Sequence, residues 1–216
     1  MHLRHGLLLL AALGGSACGT NAPDVPKELL TGSSGCGAPE YPSENIGYEV
    51  GNVVKNRCFT GYRAPAQVPP AERNRETIAF SDYYDPAGTK GVTLLLINTA
   101  AVWCGACVAE HGTLPQHQTE LAPQGLVILG TLFENAARDA ASLSDLDRWI
   151  ANFHSNFPMV ADPHLYLEDY ASADSAPLNM LVDPRSMQIL RKYVGDQGTV
   201  MWPYIESELA RRSAAH

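Results

Sequence analysis

The sequence predicts an α/β fold in which a central mixed β-sheet is flanked by helices. Apolar runs of strand character alternate with amphipathic helical stretches along most of the 216-residue chain. Towards the end, two short strands surround residues 183 to 186, which read Asp-Pro-Arg-Ser, and a last helical stretch follows. Strands that alternate with helices and finish in a hairpin and a helix favour a three-layer sandwich.

The expected elements follow in order along the chain. Residues 50 to 62 and 77 to 84 are expected as short strands that extend the sheet on its N-terminal side. Residues 92 to 99 are apolar on both faces, as in a central strand, and residues 125 to 132 form a second buried strand. The remaining predictions are helices at 104 to 121, 142 to 154, 164 to 170 and 199 to 212, and hairpin strands at 178 to 182 and 188 to 194.

The most informative motif lies where the first central strand runs into a helix. Residues 103 to 107 read Trp-Cys-Gly-Ala-Cys, so Cys104 and Cys107 stand at the helix start. A helix N-terminus presents unpaired N–H groups and a partial positive charge, which favour a thiolate at Cys104. The thiolate attacks disulfides, and Cys107, one turn further in, is positioned to attack the mixed disulfide that results. The pair is therefore the candidate catalytic redox disulfide.

Two other interpretations of this pair are weaker. A permanent structural disulfide is one of them. A zinc site would need a second pair of ligands at matching spacing, and the sequence contains none, so no metal site is expected at Cys104 and Cys107.

The first 17 residues have the pattern of a secretory signal peptide. Arg4 supplies positive charge, residues 7 to 13 form an apolar core too short to span a bilayer, and residues 14 to 17 are small. Cys18 follows directly and resembles the cysteine that is lipidated in bacterial lipoproteins, with ordinary cleavage before a free thiol as the alternative.

The region behind the signal is expected to link the anchor to the folded domain. Residues 18 to 45 are rich in Gly, Ser, Pro and Asn and are predicted to be a lipid-anchored flexible spacer. A single domain is expected from residue 46 to residue 216.

The cysteine count is compatible with this arrangement. With Cys18 assigned to a lipid and Cys104 paired with Cys107, Cys36 and Cys58 remain. In an oxidising compartment these two would form a structural disulfide. The alternative is that both are reduced, buried and behave as small apolar residues.

Composition excludes some classes of partner. The formal net charge is −8, and the chain has no basic run and no interleaving of aromatic and basic residues. Nucleic acid is therefore not expected as a partner. We expect a monomer that uses no cofactor.

The element order, the Trp-Cys-x-x-Cys motif and a later proline before the hairpin together resemble the thioredoxin superfamily, over roughly residues 46 to 212. The similarity is greatest to its membrane-anchored, extracytoplasmic branch related to TlpA and ResA. Asn98 lies six residues before the first cysteine, where that branch commonly has Asn. Glu110 and Leu114 fit its Cys-x-x-Cys-x-x-Glu-x-x-x-Leu pattern, and Pro177 stands where the family has a cis-proline.

The resemblance implies roles for five further residues. Ala176, before a cis Pro177, would offer backbone groups to an extended substrate segment. Trp103 would flank the substrate groove, unless it is a plain core aromatic. Glu110 would help to move protons at the buried thiol, with a solvated surface glutamate as the alternative. Asn98 would hydrogen-bond near that thiol or simply satisfy strand backbone.

Three departures from that branch are visible, one of which is that Ala176 replaces the Thr or Val often found before the cis-proline. The dipeptide at residues 105 and 106 is Gly-Ala, which differs from the family's usual pairs. Gly112 stands where a helix-kinking proline is frequent, although Pro115 follows. Apart from these departures, Glu134, after the second buried strand, is a weaker candidate for the site than either Glu110 or Asn98.

The resemblance implies an extracytoplasmic thiol-disulfide oxidoreductase that reduces protein disulfides and is re-reduced by a membrane electron donor. Its expected location is the bacterial cell envelope, facing the periplasm and lipid-anchored to the membrane. One alternative is a Sco-like copper-binding protein with His164 as a third ligand, although Sco-like cysteines are separated by three residues. The other is a thiol peroxidase, although Ala101 occupies the position of the threonine in the peroxiredoxin Thr-x-x-Cys motif.

Overall fold

The computed structural model describes residues 36 to 214, so the expected signal peptide, Cys18 and residues 19 to 35 lie outside the described residues. The strands are β1 Cys58–Tyr62, β2 Glu76–Ala79, β3 Leu94–Ala101, β4 Leu126–Glu134, β5 Met159–Ala161, β6 Leu178–Asp183 and β7 Gln188–Val194. The α-helices are α1 Gly105–His111, α2 Leu114–Leu121, α3 Leu143–Phe153 and α4 Gly198–Ser213. Short 3₁₀-helices lie at Pro70–Glu72, Phe80–Tyr83, Ala122–Gln124 and Ala173–Ser175.

The seven strands form one mixed sheet with the order β2-β1-β5-β4-β3-β6-β7. Strands β3, β4 and β5 run parallel to one another, whereas β1 pairs antiparallel with both β2 and β5. Strand β6 pairs antiparallel with β3 and with β7. The predicted mixed sheet, its C-terminal hairpin and its N-terminal strand extension are confirmed.

The two faces of the sheet have different covers. Leu94 and Leu96 of β3 pack in an apolar cluster to which α1, α2, α3 and α4 all contribute. Leu95 and Ile97 pack in a second cluster on the opposite face, which the 3₁₀-helix Phe80–Tyr83 and several loops cover. Every residue of β3 is buried because both faces are covered, which explains the continuous apolar run.

The helix after the Cys-x-x-Cys pair is divided, whereas the sequence predicted one helix from 104 to 121. Helix α1 ends at His111, and α2 begins at Leu114. Pro115 has no N–H to donate to the carbonyl of His111, and its ring would clash with that carbonyl in a continuous helix. The division therefore occurs one turn before Pro115, as expected for a proline inside a helical pattern.

Residues 164 to 170 form turns, so the short helix predicted there was wrong. The Asp162 carboxylate accepts hydrogen bonds from the N–H groups of Tyr166 and Leu167 at 3.0 and 3.1 Å. Leu165 has a φ of 53°, which a right-handed helix does not allow. Strand β5, just before these turns, was not predicted because its three residues are too few to show a period.

The two N-terminal strands are shorter than predicted. Only residues 58 to 62 of the range 50 to 62 form a strand, and the second strand ends at Ala79. There the Asp82 carboxylate accepts a hydrogen bond from the N–H of Ala79 at 2.9 Å and begins a 3₁₀ turn. A carboxylate that accepts from the N–H three residues before it closes a turn, and this turn ends the strand.

Part of the expected spacer packs on the domain. Cys36 forms a disulfide with Cys58 of β1, with 5.4 Å between the Cα atoms. The Tyr41 side chain is buried, and its hydroxyl donates to the carbonyl of Val54 at 2.6 Å. The packed structure therefore begins before residue 46. Within residues 36 to 214, no helix combines the length and apolar character needed to cross a membrane.

Candidate active site

The cysteine pair lies at the N-terminus of α1, directly behind the central strand. Strand β3 extends to Ala101, so only two residues separate it from Cys104. Cys104 is the N-cap of α1, and its Sγ accepts a hydrogen bond from the N–H of Cys107 at 3.1 Å. The two residues form a disulfide with 5.2 Å between their Cα atoms. Cys104 keeps 5% of its surface exposed and Cys107 none, so Cys104 is the accessible member of the pair.

The loop before β6 lies against the accessible sulphur. The peptide bond between Ala176 and Pro177 is cis, as the resemblance implied. The carbonyl oxygen of Ala176 lies 3.5 Å from Sγ of Cys104. On the far side, the carbonyl of Pro177 accepts a hydrogen bond from the N–H of Gly195 at 2.8 Å. The backbone at Ala176 therefore lies directly beside the accessible sulphur of Cys104.

A buried carboxyl group lies one helical turn beyond Cys107. Glu110 is on α1, and both its oxygens accept hydrogen bonds from side-chain amides of the sheet. Nδ2 of Asn98 donates to Oε2 at 2.7 Å, and Nδ2 of Asn179 donates to Oε1 at 2.6 Å. Asn98 is in β3 and Asn179 in β6, and the strand register pairs the two residues. Asn98 therefore bonds to side chains of the site, and Glu110 is not a solvated surface residue.

Burial decides the protonation of Glu110. Desolvation raises its pKa from 4.5 to about 7, although the hydrogen bonds from Asn179 and Asn98 lower it and the charge of Asp196 adds to the rise. A carboxyl group with a pKa near neutrality can both accept and release a proton under physiological conditions. Its spacing of three residues from Cys107 puts both on one face of α1.

The network continues beyond Glu110 into the core. Nε2 of His111 lies 2.8 Å from Oδ1 of Asn98, and Nε1 of Trp149 donates to Nδ1 of His111 at 3.0 Å. His111 is fully buried, and desolvation lowers its pKa to about 3. The imidazole therefore stays neutral at physiological pH.

An aromatic and charged cluster borders the cysteine pair on the surface side. Nε1 of Trp103 donates to Oε2 of Glu134 at 2.7 Å. The guanidinium of Arg138 lies over the Trp103 ring, 3.8 Å from its centroid, and pairs with Asp174 at 3.0 Å. Asp174 belongs to the 3₁₀-helix before the cis-proline. Arg138 therefore contacts both Trp103, which precedes Cys104, and Asp174, which lies just before Ala176.

Sequence reasoning missed four residues of this region, namely His111, Trp149, Asn179 and Arg138. Asn179 interrupts an apolar strand just as Asn98 does, and that shared feature was an available signal. His111 follows Cys107 by four residues, so helical spacing puts it on the same buried face. Trp149 lies in α3, within the helix predicted at residues 142 to 154, and no sequence signal pointed to its contact with His111 or to Arg138.

The structure does not bring His164 to the cysteine pair. His164 lines a groove beside the Cys36–Cys58 disulfide. Among residues 36 to 214, no three His, Cys, Asp or Glu side chains converge on a possible metal position. The ligand set that a Sco-like copper site requires is thus not assembled by the described residues.

The chain is similar in sequence to two curated proteins named thiol:disulfide interchange protein DsbE, whereas no protein-family model matches it. The protein from Vibrio cholerae is 35% identical over 123 residues, which cover 55% of this chain and 59% of that protein. The protein from Pseudomonas fluorescens is 31% identical over 121 residues, which cover 56% of this chain and 60% of that protein. The chain thus spans about three fifths of the length of these relatives.

The fold has counterparts among solved structures. A thiol:disulfide interchange protein from Bacteroides sp. superposes with a TM-score of 0.53 at 18% identity, covering 75% of this chain and 91% of that one. At this identity the likeness concerns the fold. The mixed sheet, the Cys-x-x-Cys pair at the first helix and this superposition together show that the chain has a thioredoxin-like fold.

Proposed function

We propose that this protein is a thiol-disulfide oxidoreductase that exchanges the Cys104–Cys107 pair with disulfides of other proteins. The observation that carries the proposal is the position of Sγ of Cys104, which caps helix α1 and lies 3.5 Å from the carbonyl of Ala176. An accessible sulphur at a helix N-terminus is a good thiolate, and the adjacent backbone can hold a substrate strand. The similarity to DsbE-named proteins supports the same activity.

The reaction takes place in two exchanges. In the reduced protein, the Cys104 thiolate attacks one sulphur of a substrate disulfide, and the other substrate sulphur leaves as a thiolate and is protonated. Cys107 then loses its thiol proton to the Glu110 carboxylate, and its sulphur attacks Sγ of Cys104. The Cys104–Cys107 bond forms, the bond to the substrate breaks, and the second substrate sulphur leaves as a thiolate. The substrate is reduced by two electrons and the protein is oxidised by two.

Glu110 supplies the base that the second exchange needs. Cys107 is fully buried, so water is not at hand to take its proton. Burial in apolar surroundings also opposes the thiolate. Glu110 is one turn away on the same helix face, and its pKa of about 7 makes its carboxylate available at neutral pH.

The direction of transfer and the location are parts of the same proposal. We infer that the protein reduces extracytoplasmic protein disulfides and acts as a monomer on the periplasmic side of the bacterial cell envelope. A membrane electron donor would then reduce the Cys104–Cys107 disulfide again. Cleavage before Cys18 and lipidation of that residue would anchor it to the membrane. The Cys36–Cys58 disulfide supports an oxidising compartment, because such bonds do not persist in a reducing cytosol.

The test is reduction of insulin disulfides with dithiothreitol as the source of electrons. We expect activity in the wild type, loss of activity in Cys104→Ser, and a trapped mixed disulfide with substrate in Cys107→Ser. Full activity in Cys104→Ser would refute the proposal. For the direction, a reduction potential near or below about −270 mV would support a reductant, whereas a value near about −120 mV would indicate an oxidant.

A further inference from the structure

Five hydrogen bonds form a network that joins the core of the helical face to the carboxyl group beside Cys107. The chain of contacts runs from Trp149 in α3 to His111 in α1, then to Asn98 in β3, and ends at Glu110. Asn179 closes the network by accepting from Asn98 at 2.9 Å and donating to Glu110. All five side chains belong to buried residues, so no bulk water substitutes for a lost partner.

The indole group of Trp149, at the start of this series of hydrogen bonds, determines which atom donates in each of them. An indole N–H can only donate, so Nδ1 of His111 must be unprotonated and accept. A neutral imidazole carries a single N–H, which then lies at Nε2 and donates to Oδ1 of Asn98. With its oxygen held there, the Asn98 amide turns its Nδ2 towards Glu110. Trp149 therefore fixes, through His111, the orientation of the Asn98 Nδ2 group that donates to the Glu110 carboxylate.

The neighbours of His111 keep its imidazole in that one form. Its ring centroid lies 5.0 Å from that of Trp149, 5.7 Å from that of Phe153 and 6.2 Å from that of Phe157. Asn98 is the polar neighbour on the strand side. Among the described residues, the ring forms hydrogen bonds with Asn98 and Trp149 and with no charged group, and burial lowers the pKa of His111. An uncharged aromatic surround disfavours the imidazolium form, and neutral His111 keeps a free acceptor for Trp149.

Loss of this orientation would change the environment of Glu110. If the Asn98 amide turned over, Oδ1 would replace Nδ2 opposite Oε2 of Glu110. Two acceptor oxygens repel unless a proton lies between them, so the protonated acid would be favoured. The turned amide would also place its oxygen opposite Oδ1 of Asn179, which now accepts from Nδ2 of Asn98, so that hydrogen bond would be lost. The charge facing Glu110 from outside the network is that of Asp196, which also favours the protonated acid.

We propose that His111 and Trp149 are positioning residues that hold the Asn98 amide in the orientation that donates to Glu110, and so keep Glu110 able to take the Cys107 proton. The inference rests on the proposed function for the step that it affects. The orientation itself is a property of the folded protein and is measurable without any substrate.

The first experiment reads the tautomer of His111 in the wild-type protein by long-range ¹H–¹⁵N NMR. We expect a neutral ring protonated at Nε2 and unprotonated at Nδ1 throughout the pH range from about 5 to 8. A ring protonated at Nδ1, or one that becomes doubly protonated in this range, would overturn the proposal. The measurement needs no variant, so a folding defect cannot interfere with it.

The second experiment compares Trp149→Phe with Trp202→Phe by following the ¹³C chemical shift of the Glu110 carboxyl against pH. Both tryptophans are buried in the same apolar cluster, but Trp202 stacks on His117 and takes no part in the network. We expect Trp149→Phe to raise the midpoint for Glu110 by about one pH unit or more, which lowers the carboxylate fraction at pH 7 about fivefold. The control should keep the wild-type midpoint.

The outcomes separate the two proposals. A folded Trp149→Phe variant with an unchanged Glu110 midpoint would overturn the positioning role. Wild-type protein that shows the expected tautomer and midpoint but does not reduce insulin would refute the proposed function alone. A matching decrease in the release of substrate from the mixed disulfide, with the first attack by Cys104 unchanged, is the result expected if both hold.

Discussion

Asn98 and Asn179 lie side by side across strands β3 and β6, with Nδ2 of Asn98 2.9 Å from Oδ1 of Asn179. Both amides also donate to Glu110, so two strands and one helix meet at a single carboxyl group. This arrangement gives the residue beside Cys107 a protonation state that depends on the tertiary structure around it. Stability and activity should therefore share a dependence on Glu110.

We expect Glu110 to make the free energy of unfolding decrease as pH rises from about 4.5 to about 7. The folded protein keeps the Glu110 proton up to its pKa of about 7, whereas the unfolded chain loses it near 4.5. Between these values the folded state binds more protons, so a rise in pH favours unfolding, by a total of roughly 3 kcal/mol for this group. Urea denaturation at a series of pH values measures the effect.

The Glu110→Gln variant isolates this contribution from other titrating groups. Its unfolding free energy should change less with pH than that of the wild type, by roughly the same 3 kcal/mol across the range. Glu120→Gln, at an exposed position of α2, is the matched control and should keep the wild-type pH dependence. Parallel curves for the wild type and Glu110→Gln would contradict the raised pKa of Glu110.

Asn98→Ala should reduce the free energy of unfolding by roughly 2–4 kcal/mol. The change removes hydrogen-bond partners from His111, Glu110 and Asn179 at a position with no solvent exposure. Buried polar groups that lose their partners bear the full cost of desolvation. Chemical denaturation at pH 7 gives the value. The exposed Asn74 serves as control, since Asn74→Ala should cost less than about 0.5 kcal/mol. Equal effects at both positions would rule out a cooperative network.

Replacement of Cys36 and Cys58 by serine should cost about 3 kcal/mol of stability and leave disulfide reduction intact. The bond joins residues separated by 22 positions, and the chain-entropy relation gives about 3 kcal/mol for a loop of that length. The pair is separate from Cys104 and Cys107 in the fold, so turnover of insulin should not change. Denaturation without reductant and the insulin assay together test this. Loss of activity in a folded double variant would assign the pair a redox role.

Arg138→Ala should expose Trp103 with little effect on stability. The guanidinium covers the Trp103 ring. In its ion pair with Asp174, the Arg138 side chain is 57% exposed and the Asp174 side chain 81%, so the pair contributes at most about 1 kcal/mol to the free energy of unfolding. Trp149 and Trp202 are buried, so acrylamide quenching of fluorescence reports mainly on Trp103. Quenching should increase in Arg138→Ala and stay at the wild-type level in Arg148→Ala, which alters an exposed arginine of α3. Unchanged quenching in Arg138→Ala would mean that the ring is not covered in solution.

The sequence alone determined the mixed sheet, its hairpin and the position of the Cys104–Cys107 pair. These features depend on local properties: apolar runs of strand length, helical spacing and two cysteines at a strand-to-helix junction. The sequence failed where the structure depends on contacts that no local pattern reveals. The turns at residues 164 to 170 were predicted as a helix, because nothing in the spacing reveals that Asp162 binds the backbone of Tyr166 and Leu167.

Only the tertiary structure decided which polar groups contact Glu110, one turn beyond Cys107. Asn98 and Asn179 are separated by 81 positions in the chain, and they meet because β3 and β6 pair in one particular register. Trp149 reaches His111 from another helix, which no periodic pattern predicts. A sequence specifies which residues are buried on a face, but contact between polar groups on different elements depends on register and packing, which are properties of the assembled fold.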